Sequence, residues 1–184
     1  MNNLFGGNKL LFVEEIIAKG GLKEGMKIAD LGCGTHGYFI YNPSLIVGKK
    51  GLVYAVDVLK PVLENHNKII KTEHYKNIKT IWSNLENYKA CKIDSMTIDL
   101  VFLVNVLHQS DKKIDILREA IRLLKKQARI IIVDWTEGAS LIGPDKNKKI
   151  NKANLIIAMK KLGMSLEEDF VAGKFHYGLI FKKL

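Results

Sequence analysis

A chain of 184 residues with 47% hydrophobic side chains and a mean hydropathy of +0.01 has room for one domain around a single sizeable core. No apolar run approaches the roughly 20 residues that cross a bilayer. The first residues lack the apolar core and cleavage site of a secretion signal. Two cysteines, Cys33 and Cys91, make neither a disulfide framework nor a metal spacing, so a cytoplasmic protein is the default expectation.

The formal charge of +10 comes from 26 lysines against 3 arginines, scattered in pairs such as Lys49-Lys50 and Lys160-Lys161 at element ends. That pattern reads first as solvated surface. An RNA-binding face is the lesser reading, because arginine is the better bidentate reader of phosphate and guanine.

In chain order, Leu10, Leu11, Val13, Ile16 and Ile17 form a helical stripe within Asn8–Lys19, closed by Gly20-Gly21. Such a helix would pack on a sheet and lay Phe5 across a ligand mouth, or use Leu4 and Phe5 as plain anchors. An apolar strand from Met26 to Leu31 then stops at Gly32, Gly34 and Gly37. Glycine suits a tight turn that brings backbone close to a ligand. The helix expected next, from about Tyr38 to Val47 or from Asn42 because of Pro43, would aim its amides into the same space.

The glycines spell the dinucleotide fingerprint, which alone is a weak signal. Asp30, two residues before Gly32, sharpens it: a carboxylate there repels a pyrophosphate but suits an ammonium group. A second apolar strand, Leu52–Asp57, ends in an acid 20 residues after Gly37, where a carboxylate takes ribose hydroxyls. A ribose-bearing ligand with a cationic end fits S-adenosylmethionine better than NAD.

A helix opened by Pro61 runs to about Glu73 and carries His66 and His74, which read as surface residues without acidic partners. The third strand, Ile78–Trp82, leads to Asn84; Trp82 either stacks on a base or packs in the core, and its strand position favours the core. Asn87–Met96 reads as a polar loop. Thr97–Val104 is a continuous apolar strand, the sheet centre, delivering Asn105 and His108 to the carboxyl edge. Asp111 stands as cap of a helix striped by Ile114, Leu117, Ile121 and Leu124.

Ala128–Val133 is the fifth strand, ending in Asp134-Trp135, and Thr136–Lys149 is a long irregular stretch placed as a lid or substrate loop. A helix over Ile150–Leu162 and two strands, Ser165–Val171 and Lys174–Lys182, joined at Ala172-Gly173, close the chain.

Asp30-Leu-Gly-Cys-Gly34 followed by Val53-Tyr-Ala-Val-Asp57 resembles the first two motifs of class I S-adenosylmethionine-dependent methyltransferases. The likeness continues through Ile98–His108 and Leu124–Asp134, similar to that family's fourth and fifth strands. Its departure is His36 where many members have glycine, with Gly37 one place later, which widens the turn.

The resemblance implies an α/β Rossmann-like, mostly parallel sheet of order 3-2-1-4-5-7-6 with an antiparallel strand and helices on both faces. It implies S-adenosylmethionine as cofactor, S-adenosylhomocysteine as product, and a cofactor set of Asp30, Gly32, Cys33, Gly34, Gly37, Asp57, Val58, Asn84, Leu85 and Asn105. His108 is the candidate base, against a plain helix-start histidine. Asn105 reads as a contact to donor or acceptor, with Asp134, Trp135, His176 and Tyr177 as further pocket lining. The expected acceptor is a small molecule, RNA is the alternative, and a non-catalytic nucleotide-binding or NAD-binding protein is the reading from another class.

Overall fold

The structure, a computed structural model, describes residues 10–137 and 142–184. These form one sheet of seven strands in the order β3-β2-β1-β4-β5-β7-β6. The strands are β1 (Lys27–Leu31), β2 (Leu52–Asp57), β3 (Ile78–Trp82), β4 (Ile98–Val104), β5 (Leu124–Trp135), β6 (Met164–Gly173) and β7 (His176–Lys183). All neighbours pair parallel except β7, which runs antiparallel to both β5 and β6. β4, whose residues from Ile98 to Leu103 are almost all fully buried, occupies the middle. A strand covered on both faces reads as a continuous apolar run, as Leu100–Leu103 does.

Helices α1 (Val13–Lys19), α2 (Tyr41–Val47) and α3 (Lys60–Thr72) cover one face. There Ile16, Ile17, Val47, Val62 and Leu63 pack with Ile28, Val53 and Phe102. Helices α4 (Lys113–Leu123) and α5 (Lys152–Lys161) cover the other, where Ile116, Leu117, Leu123, Leu155 and Met159 meet Val101, Leu103 and Ile132. The two faces therefore have separate apolar layers with the sheet between them.

Several local expectations are corrected. Asp111 does not cap α4: its N-cap is Lys112, whose amide donates to Ser110 Oγ at 2.9 Å. The hairpin between β6 and β7 turns at Lys174-Phe175, because Ala172 and Gly173 still belong to β6, and Gly173 lies too close to the Leu10 backbone for any side chain. β5 begins at Leu124, four residues early, with its register on β4 shifted between Ile98 and Leu100. α5 begins after Asn151, whose side chain accepts from the Asn154 amide. Phe5 and Leu4 lie outside the described residues, as does part of the expected lid. Its described portion includes the single turn Lys146–Lys148 and Gly143, which packs on the Trp135 ring.

Candidate functional site

The carboxyl edge of β1, β2 and β3 opens into a cleft of about 450 Å³. Its floor and walls include Gly32, Gly34, Asp57, Val58, Asn84, Leu85 and Val106. Gly32 takes φ +77°, and a Cβ there would strike the Val106 side chain at 2.5 Å, so this position needs glycine on both counts.

The turn is wide. α2 starts only at Tyr41, and the amides of Gly32 and Cys33 both donate to Val56 O (2.8 and 3.0 Å) rather than pointing free into the cleft. The helix thus begins where Pro43 allows, close to Asn42 and not at Tyr38, and the first amides of the turn tie β1 to the end of β2.

Two carboxylates stand behind this turn. Asp57 is nearly buried and held by two amides, Gly34 N on Oδ2 (3.0 Å) and Leu59 N on Oδ1 (2.9 Å). Oδ1 keeps a lone pair, and Oδ2 has only the weak Cys33 thiol donor at 4.0 Å on its second, so the two oxygens suit a pair of vicinal hydroxyls. Asp30 is 2% exposed and its Oδ2 has no hydrogen-bond partner. Burial, with the Asp57 charge adding to it, pushes the Asp30 carboxyl up to about 8. A buried carboxylate without a donor is costly, and an ammonium group is the ligand chemistry that would relieve it.

Farther along the same edge, β4, β5 and β7 converge. Asp134 is fully buried and accepts from His108 Nδ1 (2.9 Å), the His108 amide (3.3 Å) and the Trp135 amide (2.8 Å). Since a carboxylate only accepts, Nδ1 carries the proton and Nε2 keeps its lone pair.

Asn105 closes β4 at φ +57°, a strained value for a non-glycine residue. Its amide donates to Val133 O, its carbonyl accepts from Gln109 Nε2, and its Oδ1 is buried without a partner. His176 Nε2 and the Tyr177 hydroxyl are likewise buried and unpartnered. Burial moves the His176 imidazolium down, outweighing the backbone bond to Leu10 O, and moves the Tyr177 phenol well up, helped by Asp134. A neutral imidazole acceptor and a permanent O–H donor result.

The sequence profile of a methyltransferase domain family matches residues 22–177. The chain belongs to this family. Its cofactor is S-adenosylmethionine, and the chemistry present fits that group: a buried Asp30 carboxyl whose Oδ2 lacks a partner is suited to an ammonium, and an Asp57 carboxylate held by the Gly34 amide is suited to ribose hydroxyls. A demethylmenaquinone methyltransferase from Lactococcus lactis is 29% identical over 110 residues, covering 60% of this chain and 42% of that enzyme.

A S-adenosylmethionine-dependent methyltransferase from Aquifex aeolicus superposes with a TM-score of 0.84 at 25% identity, covering 96% of this chain and 92% of that one. The same fold is shared by the 4+2 cyclase SpnF, at a TM-score of 0.75 and 10% identity, over 93% of this chain and 79% of that one. Fold alone therefore does not decide chemistry.

Of the residues expected to hold cofactor in this methyltransferase domain, Gly32, Gly34, Asp57, Val58, Asn84 and Leu85 line the cleft. Cys33 lies buried behind it, its Sγ 4.0 Å from Asp57 Oδ2. Gly37 faces the Tyr41 ring, where a Cβ would sit 2.5 Å away, so its glycine answers packing. Asn84 Oδ1 already accepts from the Glu86 amide at 3.0 Å, leaving one lone pair.

Two expectations fail outright. Trp82 is 51% exposed rather than core, its Nε1 donating to Val58 O beside the cleft. His66 is fully buried rather than on the surface. Sequence reasoning also passed over Glu86, Gln109 and Ser110, which line the cleft, with Ser110 Oγ donating to Glu86 at 2.6 Å. The only sequence signal for them was their position just beyond β3 and β4.

Proposed function

We propose that this methyltransferase domain moves a methyl group from S-adenosylmethionine to a small-molecule acceptor that surrenders a proton to His108. The observation that carries the reading is the His108 Nδ1–Asp134 contact of 2.9 Å at the carboxyl end of β4 and β5. Asp134 holds the ring in the tautomer with a basic Nε2 and stabilises the imidazolium formed when a proton arrives. When bound, the cofactor supplies a sulfonium-activated methyl group open to in-line displacement. This chain's residues orient it: Asp57 through the ribose, Asp30 through the amino group.

Asn105 Oδ1 and the Tyr177 hydroxyl, an acceptor and a donor buried without partners near the same end of the sheet, add to this site, while His176 Nε2 lies on the opposite face of β7. Such uncharged groups suit a neutral, oxygen-bearing acceptor. The Lactococcus relative, named for a quinone-type acceptor, supports the small-molecule reading over RNA.

The test is transfer of labelled methyl groups to fractionated small-molecule extracts and to RNA. Label is expected in the small-molecule fraction. His108→Gln should lower turnover by about 10²–10⁴ while S-adenosylhomocysteine still binds. Unchanged turnover in that variant overturns the role of His108, and label confined to RNA overturns the acceptor class.

A further inference from the structure

Nothing above assigns His66 a role, yet it is completely buried and both of its ring nitrogens are hydrogen-bonded. Its Nε2 lies 2.7 Å from Gly34 O, and its Nδ1 lies 2.6 Å from the Tyr41 hydroxyl. A carbonyl only accepts, so Nε2 carries the proton, and the Tyr41 O–H then donates to Nδ1. The chain of donors runs Tyr41, His66, Gly34 carbonyl, and on the other side of the same residue the Gly34 amide donates to Asp57 at 3.0 Å.

Both peptide planes flanking Gly34 are thereby fixed, one by His66 and one by Asp57. Gly34 sits at φ +59°, and a Cβ built on it would meet nothing within 4 Å, so no side chain packed against that position braces the turn. Gly37 closes over the same pair, its ideal Cβ position lying 2.5 Å from Tyr41 and 3.0 Å from His66.

Resting on the cofactor reading of this cleft, we infer that His66 is a positioning residue for the ribose. Tyr41 orients the imidazole, the imidazole locks the glycine turn, and the locked turn holds the Asp57 carboxylate in the rotamer that meets the two hydroxyls. His66 is contributed by α3, the helix that begins just after Val58 and Leu59, both lining the cleft. Turn, carboxylate and cleft wall are thus braced from one helix. His66 touches no ligand itself, being sealed behind the turn.

The experiment measures binding of S-adenosylhomocysteine and of its 2′-deoxy analogue by calorimetry, with thermal melting alongside. His66→Phe keeps the volume and removes the donor, and should weaken S-adenosylhomocysteine by about tenfold. The penalty for losing the 2′-hydroxyl should shrink in that variant. His66→Gln, which can still donate to Gly34 O, should recover most of the affinity.

Combined with Asp57→Asn, the loss from His66→Phe should largely vanish, since both act through one carboxylate. Tyr41→Phe carries the same test with a smaller shift if His66→Phe does not fold. Additive losses, or a lowered melting temperature with affinity and 2′-hydroxyl discrimination unchanged, would overturn the inference and leave His66 as packing. Failure of the wild-type chain to bind S-adenosylhomocysteine would instead overturn the cofactor reading itself.

Discussion

Two buried carboxyl groups on opposite faces of the sheet contrast a charge whose partners are all present with a carboxyl that lacks one. Glu119, on α4, is fully buried and accepts four hydrogen bonds: Lys89 N, Cys91 N, and Arg122 Nε and Nη2, all within 3.0 Å. Burial alone would raise its carboxyl, but the Arg122 and backbone donors outweigh that and hold it below the ordinary range. Arg122 continues to Cys91 O, Ile93 O and Ser95, so the pair pins the loop after β3 onto α4.

Asp30 is as deeply buried, lacks a partner on Oδ2 and is pushed the other way, to about 8. The first is architecture. The second is, on the function proposed above, a place where the fold accepts a cost that the cofactor's ammonium group removes.

The largest effect belongs to the satisfied pair. Arg122→Ala leaves Glu119 charged and buried, and should cost about 3–5 kcal/mol in urea unfolding while S-adenosylhomocysteine affinity per folded molecule changes little. A loss below 1 kcal/mol would mean that Glu119 finds water instead.

Next, Asp57→Ala deletes charged hydrogen bonds to the ribose and should weaken S-adenosylhomocysteine by about 1.5–3 kcal/mol in a calorimetric titration. Unchanged affinity would reject the ribose assignment.

For Asp30 the sign differs from the usual acid. Its carboxyl is raised from 3.8 to about 8 on folding. The folded chain therefore holds a proton that the unfolded chain has released, and ligand-free stability from this group falls as pH rises between those values. Asp30→Asn should flatten that part of the melting-temperature profile. It should also weaken S-adenosylhomocysteine by about 1–2 kcal/mol. At pH 7 the wild type should release protons on binding, read from titrations in buffers of different ionisation enthalpy, and the variant should release none. Equal release by both would place the ammonium elsewhere.

Smallest of all, Lys152→Ala breaks a half-exposed contact with Asp169 at 2.7 Å and should change unfolding free energy by less than about 1 kcal/mol.

Much of this was legible beforehand. The succession of strands and helices, the glycine turn, and the places of Asp30 and Asp57 follow from patterns that occupy a few consecutive residues, apolar runs closed by glycines and acids, whereas the strand order came from the resemblance carried by Asp30–Gly34, Val53–Asp57, Ile98–His108 and Leu124–Asp134. The cap on α4 and the turn at Lys174-Phe175 were misplaced because element ends are decided by which neighbour supplies the next hydrogen bond, as Ser110 does for Lys112. Trp82 read as core from its strand, but β3 is the sheet edge, and an edge strand leaves its last residue open to solvent.

Sequence by itself pointed to a chain of alternating strands and helices and to the acids Asp30 and Asp57 at the ends of β1 and β2, because hydrophobic period and turn chemistry are local properties of a chain. Tertiary structure alone decided that His66 is sealed beneath Gly34, 32 residues away, and that His108 meets Asp134, 26 residues away. Histidine carries no local pattern that tells a solvated ring from one whose two nitrogens are both spoken for. Only the crossing of strands and helices brings those partners within hydrogen-bond reach.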